Sequence, residues 1–318
     1  MEQLPAKVSI IGAGSVGVRF TYALIIHGLA REVVLVDTQR QRLEAEVMDL
    51  SHGAPYVRPV NIVAGDYRDI QGSGVVVITA GKKQLPGQTR LDLAKENADL
   101  FKKIIPEVIK YAPEAIIVVV TNPVDVLAYI TYKISGKPSS TIMSSGTVLD
   151  TARFRYLLSC HCKIAPQNIH AYILGEHGDT EFAVWSRLMI GGVLIGNYCK
   201  ICPREKECSP KEVFENIFNQ VVCSAYKIIE GKGETSYGIG LALVRIVQAI
   251  VHDENAVLPV STLVDGFLDE RDVFLSLPAI VNKNGVRGVL ELDLSEDEKI
   301  AFRRSAEKVR SVIKECGF

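Results

Sequence analysis

Short apolar runs alternate with longer amphipathic stretches through the first half of the chain. The apolar runs, rich in Val and Ile, lie at residues 7–12, 32–37, 60–65, 75–79 and 115–121. Apolar positions recur at helical spacing at 16–27, 40–50 and 91–111. Near-continuous apolar runs are typical of strands buried on both faces, which need helices on either side to cover them. The pattern therefore predicts an α/β fold with a parallel, doubly wound sheet.

The pattern changes near residue 150. Long amphipathic stretches follow at 150–161, 210–231 and 236–252. Short strand-like segments with Gly and Asn turns then extend from 256 to 294, and a charged helix follows Ser295. No repeat, low-complexity tract or flexible linker separates the two halves. We therefore expect two tightly packed domains, a doubly wound domain over 1–148 and a mixed α+β domain over 149–318.

The bulk composition is that of an ordinary globular protein. The 318 residues carry a formal net charge of −1, with 47% hydrophobic and 23% charged residues. A nearly neutral chain gives no electrostatic reason to expect nucleic acid or an anionic membrane surface as a partner. The longest apolar run, AIIVVV at 115–120, is too short to span a bilayer. With no signal region before the first strand, we expect a cytoplasmic protein.

The cysteines do not form a pattern typical of disulfides or metal sites. There are 7 of them, scattered between Cys160 and Cys316. An odd number in a chain without a secretion signal argues against a disulfide framework. CHC at 160–162 and CKIC at 199–202 lack a second paired cluster at zinc-site spacing. We expect no metal ion.

A glycine-rich turn follows the first strand. GAGSVG places Gly12, Gly14 and Gly17 as GxGxxG at the start of a helix. The first glycine permits a tight turn, the second lets a pyrophosphate approach the backbone, and the third lets helix and strand pack closely. Asp37 follows Gly17 by 20 residues and ends the second strand, where its carboxylate can accept hydrogen bonds from ribose hydroxyls. Because this acid would repel a ribose phosphate, the pattern predicts a Rossmann domain that binds NAD.

Two polar stretches lie where ligands of such sheets bind, beyond the carboxyl ends of the strands. TNPVD at 121–125 places Asn122 there, with Pro123 opening the next helix. A helix-capping asparagine would give the same pattern, and both roles are compatible. AGKKQLPGQTR at 80–90 is a polar loop that could act as a lid carrying Arg90, although an ordinary solvated loop has the same composition.

Candidate acid–base residues lie in the second half. In LDTARFR, at 149–155, Asp150 and Arg153 are three residues apart and therefore share one helix face. A simple ion pair within the helix would have the same spacing. In LGEHGDTEF, at 174–182, His177 stands between two glycines with an acid on either side. A histidine oriented by a carboxylate beside a hydride carrier, with arginines to hold an anion, is what carbonyl reduction needs.

The chain resembles the lactate/malate dehydrogenase family from its first strand to its last helix. Five motifs occur in the family's order and separation: GAGSVG, AGKKQLPGQTRLDL, TNPVDVLAY, LDTARFRYLL and GEHGDTEFAVWS. The resemblance implies that His177 donates and accepts the proton and that Asp150 orients it. It implies that Arg153 pairs with the substrate carboxylate, and that Arg90 polarises the ketone oxygen when the loop closes.

The same resemblance implies the remaining site residues. The substrate-binding set is Gln84, Arg90, Asn122, Arg153 and Thr235. The positions that match the family's dinucleotide groove are Gly12, Gly14, Val16, Gly17, Asp37, Arg42, Tyr67, Gly81, Lys82, Asn122, Ser145 and Ile239. Within this groove the resemblance places Asn122 between nicotinamide and substrate, and Ile239 against the nicotinamide ring.

Gln84 distinguishes two substrates within the family. Malate dehydrogenases carry arginine at the matching position, because oxaloacetate has a second carboxylate that must be paired. A neutral glutamine suits the methyl end of pyruvate, so the resemblance implies reversible hydride transfer between NADH and pyruvate to give L-lactate. Lys83 leaves malate or another 2-hydroxy acid as an alternative, because it could supply the positive charge. A non-catalytic dinucleotide-binding protein with this fold is a further alternative.

The resemblance also extends to regulation and assembly. In bacterial members of the family an arginine and a histidine form a fructose bisphosphate site between subunits, and Arg155 and His170 match them. This implies a homotetramer that a fructose bisphosphate effector stabilises. An exposed arginine and an incidental strand histidine would look the same. The chain departs from the family at Ser144, Ala183 and Arg187, none of which belongs to the chemical set.

Overall fold

The first half folds as its apolar runs predict. The structure is a computed structural model that describes residues 7–82, 89–200, 202 and 210–318. Its first strands are β1 (Lys7–Ile11), β2 (Glu32–Val36), β3 (Asn61–Gly65), β4 (Val75–Ile78), β5 (Ile116–Val119) and β6 (Ile142–Ser144). The helices between them are α1 (Ser15–His27), α2 (Arg40–His52), α3 (Arg90–Tyr111) and α4 (Val124–Ser135). The six strands are parallel in the order β6-β5-β4-β1-β2-β3, which confirms the doubly wound sheet.

The second half is mixed, as expected. Its helices are α5 (Val148–Cys162), α6 (Ile195–Cys199), α7 (Pro210–Lys232), α8 (Tyr237–Val251) and α9 (Glu296–Glu315). Short strands follow α5: β7 (Ile169–His170), β8 (Ile173–Leu174), β9 (Phe182–Ala183), β10 (Met189–Ile190) and β11 (Val193–Leu194). The last strands are β12 (Ala256–Leu258), β13 (Ser261–Asp265), β14 (Arg271–Ser276), β15 (Ala279–Asn282) and β16 (Gly285–Val289).

One connection between the halves was not predicted. Strand β13 pairs antiparallel with β6 through Ser261 and Ser144, and β14 pairs with β13. The main sheet therefore has eight strands in the order β14-β13-β6-β5-β4-β1-β2-β3. Two strands from the second half thus extend the sheet of the first half, so the halves share a backbone hydrogen-bond network.

The central strands are apolar on both faces because each face contacts a separate core. In β4, Val76 and Ile78 join the core that α3, α4 and α9 cover, whereas Val75 and Val77 join the core under α1, α2 and α8. All four side chains are fully buried. A strand that packs helices on both sides has no polar face, which explains the near-continuous apolar runs in the sequence.

Helix α3 begins at Arg90, one residue before the predicted start. The hydroxyl of Thr89 accepts a hydrogen bond from the Asp92 backbone N–H at 3.1 Å, and the Asp92 carboxylate accepts one from the Thr89 N–H at 3.2 Å. This capping box fixes the first turn of the helix. Among the helices of the described ranges, none is long and apolar enough to cross a membrane. None of the cysteines within those ranges forms a disulfide.

Candidate active site

The glycine-rich turn between β1 and α1 fits a dinucleotide pyrophosphate. Gly12 has a φ of +109°, and a Cβ there would lie 2.5 Å from the backbone N of Ala80. A Cβ at Gly17 would lie 2.0 Å from the carbonyl oxygen of Gly12. A Cβ at Gly14 would meet no protein atom within 4 Å. Only the middle glycine therefore faces open space, which is where a bound phosphate group would approach the backbone.

Asp37 is fixed beside this turn at the end of β2. One carboxylate oxygen accepts a hydrogen bond from the Ala13 N–H and the other from the Gln39 N–H, both at 2.8 Å. Each oxygen keeps a lone-pair direction for a further donor. The carboxylate is therefore oriented by the backbone and can still accept hydrogen bonds from ribose hydroxyls.

The other predicted groove residues occupy several elements around the crevice. Val16 and Ile239, on α1 and α8, are partly buried and pack against the same core. Ser145 is buried after β6, and its N–H donates to the Val119 carbonyl at 2.9 Å. Gly81 follows β4, where a Cβ would lie 2.2 Å from a methyl carbon of Thr121. The structure thus accounts for the glycine at position 81 by close packing.

Arg42 and Tyr67 lie after the second and third strands. Arg42 is exposed on α2 and forms an ion pair with Glu46 at 3.6 Å. Tyr67 is partly buried against the core under α3, and burial together with the charge of Glu107 raises the pKa of its hydroxyl. Both therefore have contacts within the chain besides their predicted cofactor role.

Asn97, which the sequence analysis did not single out, joins two parts of the crevice. Its carboxamide oxygen accepts a hydrogen bond from the Lys82 N–H at 2.8 Å, and its amide donates to the Asn122 carbonyl at 2.9 Å. Asn97 is 1% exposed, so its end of both bonds is shielded from water. A second contact, from the Lys82 ammonium to Glu96 at 3.0 Å, also ties Lys82 to α3. The backbone of the exposed Asn122 is therefore held in place by Asn97.

The predicted acid–base residues meet at the start of α5. His177 Nδ1 lies 2.6 Å from Asp150 Oδ2, and Arg153 Nη1 donates to Asp150 Oδ1 at 2.8 Å. The Asp150 side chain is 4% exposed, whereas that of His177 is 25% exposed. One buried carboxylate is therefore shared by the imidazole and the guanidinium. Because Nδ1 is engaged with Asp150, Nε2 is the ring nitrogen free to exchange a proton with a ligand.

The charges of this cluster favour a protonated histidine. Burial alone would lower the pKa of His177, but the charge of Asp150 and its hydrogen bond raise that pKa to about 9. Burial likewise opposes ionisation of Asp150, yet the charge and hydrogen bond of His177, followed by those of Arg153, hold the pKa of this carboxyl below its ordinary value. At neutral pH the pair is thus an imidazolium and a carboxylate, and His177 can act as a general acid.

Two further acids close to His177 were missed by the sequence analysis. The carboxylate of Asp125, on the first turn of α4, accepts a hydrogen bond from the His177 backbone N–H at 2.7 Å. Its other oxygen and the hydroxyl of Ser261 are buried without a well-formed hydrogen bond in the described structure. Burial raises the pKa of Asp125 to about 6. An acid in the first turn of an otherwise apolar helix was the available signal.

Glu181 is the second missed acid, and it lies just before β9. It is 8% exposed, and burial followed by the charge of Asp150 raises its pKa to about 9. Asp150, His177 and Glu181 each place a polar atom within 4.8 Å of the others. Within this group, the Asp150 carboxylate is already shared by His177 and the cationic Arg153.

Some predicted residues lie apart from this cluster or outside the described residues. Thr235 is partly buried and lines a cavity of about 420 Å³ at the junction of α7 and α8, to which none of the acid–base residues contributes. Gln84 and Lys83 lie outside the described residues. Arg90 is the first residue of α3, and its side chain also lies outside the described part of the structure.

The two residues of the predicted effector site lie close together in the chain's own fold. The Arg155 Nε donates to the Ala171 carbonyl at 3.0 Å, and its guanidinium lies 5.5 Å from the ring centre of Tyr172. The neighbouring His170 is exposed in β7 and pairs with Met189 of β10. Arg155 is therefore anchored beside an exposed histidine.

A dinucleotide turn on a doubly wound sheet, with an acid–base histidine in the second half, defines an NAD-dependent oxidoreductase. Comparison with protein families agrees. Residues 6–144 match the NAD-binding domain of lactate/malate dehydrogenase, and residues 147–317 match its alpha/beta C-terminal domain. The chain belongs to the lactate/malate dehydrogenase family.

Individual relatives are similar over nearly their whole length. The L-lactate dehydrogenase of Thermoanaerobacter pseudethanolicus is 52% identical over 97% of this chain and 98% of that protein. That of Thermoanaerobacterium saccharolyticum is 50% identical, with 98% and 99% covered. Among solved structures, a lactate dehydrogenase from a Medee basin deep-sea metagenome library has a TM-score of 0.95 at 42% identity and covers 100% of both chains. A minor L-lactate dehydrogenase from Enterococcus mundtii in its ligand-bound form has a TM-score of 0.93 at 40% identity and covers 98% of both.

Proposed function

We propose that this protein is an NAD-dependent L-lactate dehydrogenase, which interconverts pyruvate and L-lactate. The observation that carries the proposal is the buried Asp150 carboxylate, shared by His177 at 2.6 Å and Arg153 at 2.8 Å. A 2-oxo acid presents a ketone to protonate and a carboxylate to bind. The cluster offers an imidazolium for the first and a guanidinium for the second.

NADH, when bound in the groove, supplies the hydride that reduces the ketone carbon. His177 donates its Nε2 proton to the ketone oxygen, and in lactate oxidation the neutral imidazole takes the hydroxyl proton back. Asp150 keeps the Nδ1 proton in place and stabilises the imidazolium. Arg153 holds the substrate carboxylate through paired hydrogen bonds, which fixes the ketone relative to His177. We assign polarisation of the ketone oxygen to Arg90.

We propose the following division of labour among the remaining residues. Residues 1–148 form the cofactor domain and 149–318 the substrate domain. Gln84, Asn122 and Thr235 contact the substrate with Arg90 and Arg153. The cofactor contacts are Gly12, Gly14, Val16, Gly17, Asp37, Arg42, Tyr67, Gly81, Lys82, Asn122, Ser145 and Ile239. The fit of the glycine turn and the orientation of the Asp37 carboxylate support the cofactor assignment.

Steady-state kinetics with two substrates test the proposal. NADH absorbance is followed with pyruvate and with oxaloacetate, and we expect kcat/KM to favour pyruvate. The His177→Asn variant is expected to lose nearly all turnover in both directions while it binds NADH normally. The His27→Asn variant removes an exposed histidine at the end of α1 and serves as the control. Retention of most turnover by His177→Asn would contradict the assignment.

The activity with oxaloacetate distinguishes a lactate dehydrogenase from a malate dehydrogenase. A buried, unpaired second carboxylate costs several kcal/mol, or about a thousandfold in rate. We therefore expect Gln84→Arg to shift preference toward oxaloacetate by that order. Preference of the wild-type protein for oxaloacetate would favour malate as the product. No turnover with either substrate, despite NADH binding, would favour a non-catalytic role.

We propose further that the chain is a cytoplasmic homotetramer with a fructose bisphosphate site at Arg155 and His170. Large apolar side chains support assembly. Tyr22 on α1 and Leu241 on the adjacent α8 are 59% and 57% exposed, and Met48 on α2 is 60% exposed. Exposed apolar groups on two packed helices, as on α1 and α8, are typical of surfaces that a partner covers. A bisphosphate would neutralise the cationic side chains that face each other across a two-fold axis.

A further inference from the structure

Thr235, a proposed substrate contact, lies in the short connection between α7 and α8. Helix α7 ends at Lys232 and α8 begins at Tyr237, so residues 233–236 form the connection. Thr235 is partly buried there and lines a cavity of about 420 Å³. A side chain on a connection keeps a precise position only when the residues around it are held by other parts of the protein. The contacts of its chain neighbours therefore determine how well Thr235 is placed.

An ion pair holds Glu234, the residue before Thr235, to helix α1. Arg19 Nη1 lies 3.0 Å from Glu234 Oε1, and the two side chains are 34% and 23% exposed. The hydroxyl of Ser236, the buried residue after Thr235, donates to the same carboxylate oxygen at 3.2 Å. A partly buried pair of this kind is screened by salt only in part. Both chain neighbours of Thr235 are thus joined to α1 through one carboxylate.

Arg19 makes two further contacts that orient its guanidinium. Its Nη1 also donates to the Ser15 carbonyl at 3.2 Å, and Ser15 begins α1 directly after the glycine turn. The guanidinium carbon lies 5.2 Å from the centre of the Tyr237 ring, and Lys232 Nζ lies 4.2 Å from the same centre. Cations at these distances are attracted to the face of an aromatic ring. Arg19 therefore contacts the connection at its α8 end as well.

Helices α1 and α8 are packed closely where these contacts are made. Phe20 of α1 and Leu243 of α8 are fully buried in the same core. A Cβ at Gly240 of α8 would lie only 3.4 Å from the carbonyl carbon and oxygen of Arg19. The two helices are thus in contact at Arg19 itself. A connection tied to α1 is therefore tied to the helix that follows the proposed cofactor turn.

We propose that the Arg19–Glu234 ion pair positions Thr235 for the substrate, and so couples substrate binding to the helix of the cofactor turn. This rests on the proposed function, since it takes Thr235 to be a substrate contact. Arg19 and Glu234 are positioning residues, which act on the substrate through Thr235. Without the pair, Thr235 occupies its binding orientation for a smaller fraction of the time, and the apparent affinity for pyruvate falls by that fraction.

The test measures KM and kcat for pyruvate in Glu234→Gln, which keeps the size of the side chain and removes its charge. We expect KM to rise about fivefold and kcat to change by less than about twofold, because His177 and Asp150 belong to other elements. Arg19→Gln breaks the same pair from the other side, and the double variant should not exceed the larger of the two single effects. Glu230→Gln, which removes an exposed acid near the end of α7, is the control and should keep the wild-type KM.

Thr235→Ala distinguishes positioning from a general structural effect. This variant keeps His177, Asp150 and Arg153, so its KM for pyruvate remains measurable. If Glu234 acts through Thr235, Glu234→Gln should raise KM by less than about twofold in the Thr235→Ala background. The Tm of each variant is measured alongside, because a purely structural role would lower the Tm without this dependence on Thr235.

Two results would overturn the proposal. One is an unchanged KM for pyruvate in Glu234→Gln, whatever happens to its Tm. The other is an equal rise of KM in the wild-type and Thr235→Ala backgrounds. If Glu234→Gln does not fold, Arg19→Gln provides the same comparison in both backgrounds. Absence of pyruvate reduction in the wild-type protein would instead overturn the proposed function, which keeps the two failures distinct.

Discussion

Replacement of Asp150 by Asn tests whether one buried carboxylate controls the protonation of His177. The substitution keeps the shape of the side chain, and an amide oxygen can still accept a hydrogen bond from Nδ1. It removes the negative charge that lies 2.6 Å from the imidazole and 2.8 Å from the guanidinium. Without that charge, burial of the ring dominates, and burial favours the neutral imidazole. We therefore expect the pKa of His177 to fall from about 9 to its ordinary 6.5 or lower.

The size of the effect follows from the two pKa values. This fall corresponds to roughly 3 kcal/mol of lost stabilisation of the imidazolium. At pH 7.5 the protonated fraction then drops from about 97% to about 9% or less. Pyruvate reduction, which needs the imidazolium, should lose at least about tenfold in kcat/KM at this pH from protonation alone. If the amide also stabilises the wrong tautomer of the imidazole, the rate falls further, and lowering the pH does not restore that part of the loss.

The assay is the pH profile of kcat/KM for pyruvate between pH 5.5 and pH 10. The wild-type profile should fall near pH 9, and that of Asp150→Asn at or below pH 6.5. Asp179→Asn, which removes an exposed acid two residues from His177, should keep the wild-type midpoint. An unchanged midpoint in Asp150→Asn would falsify the claim that this carboxylate raises the pKa of His177, whatever happens to the maximal rate.

Two further predictions concern the cofactor turn and the effector site. Gly14→Ala places a methyl group in space that is open in the protein, so it should keep the wild-type Tm but weaken NADH binding. Gly12→Ala, with φ at +109° and a Cβ 2.5 Å from Ala80 N, should lower the Tm, and equal melting of both variants would contradict the turn geometry. Fructose bisphosphate should lower the KM for pyruvate and raise the sedimentation coefficient toward that of a tetramer. Arg155→Gln should abolish both responses, and a full response in that variant would reject the site.

Much of the fold was predictable because its strands are buried on both faces. In β4 every side chain contacts a core, so the apolar run reveals the strand without any need for periodicity. The edge that β13 joins was not predictable in this way. Its contact with the parallel strands is a single pairing of Ser261 with Ser144, and nothing local in either segment specifies that partner. Such pairing is decided by tertiary packing rather than by strand propensity.

The site was predictable only where function is concentrated in short motifs. His177, Asp150 and Arg153 stand in distinctive segments, and the structure brings them together. Asp125 contacts the His177 backbone across 52 positions of sequence, and Glu181 places a carboxyl oxygen within 4.8 Å of Asp150 and His177. Neither of these contacts has a local sequence signature. Buried polar groups of this kind become apparent only when the contacts around them are known.

The three shifted groups around the active site act on stability in the same direction. The folded-state pKa values of Asp125, His177 and Glu181 rise from 3.8, 6.5 and 4.5 to about 6, 9 and 9. These three groups therefore bind more protons in the folded protein than in the unfolded chain between about pH 4 and pH 9, and their contribution to stability falls as pH rises across this interval. The lowered pKa of Asp150 has the opposite sign, but its effect is confined to acid pH, because stability is lost only as pH falls below the ordinary value of 3.8. The form that these shifts favour near neutral pH has His177 charged, and this is the form that the proposed reduction of a 2-oxo acid requires. The proton that serves pyruvate reduction is thus retained by the fold itself before any ligand arrives.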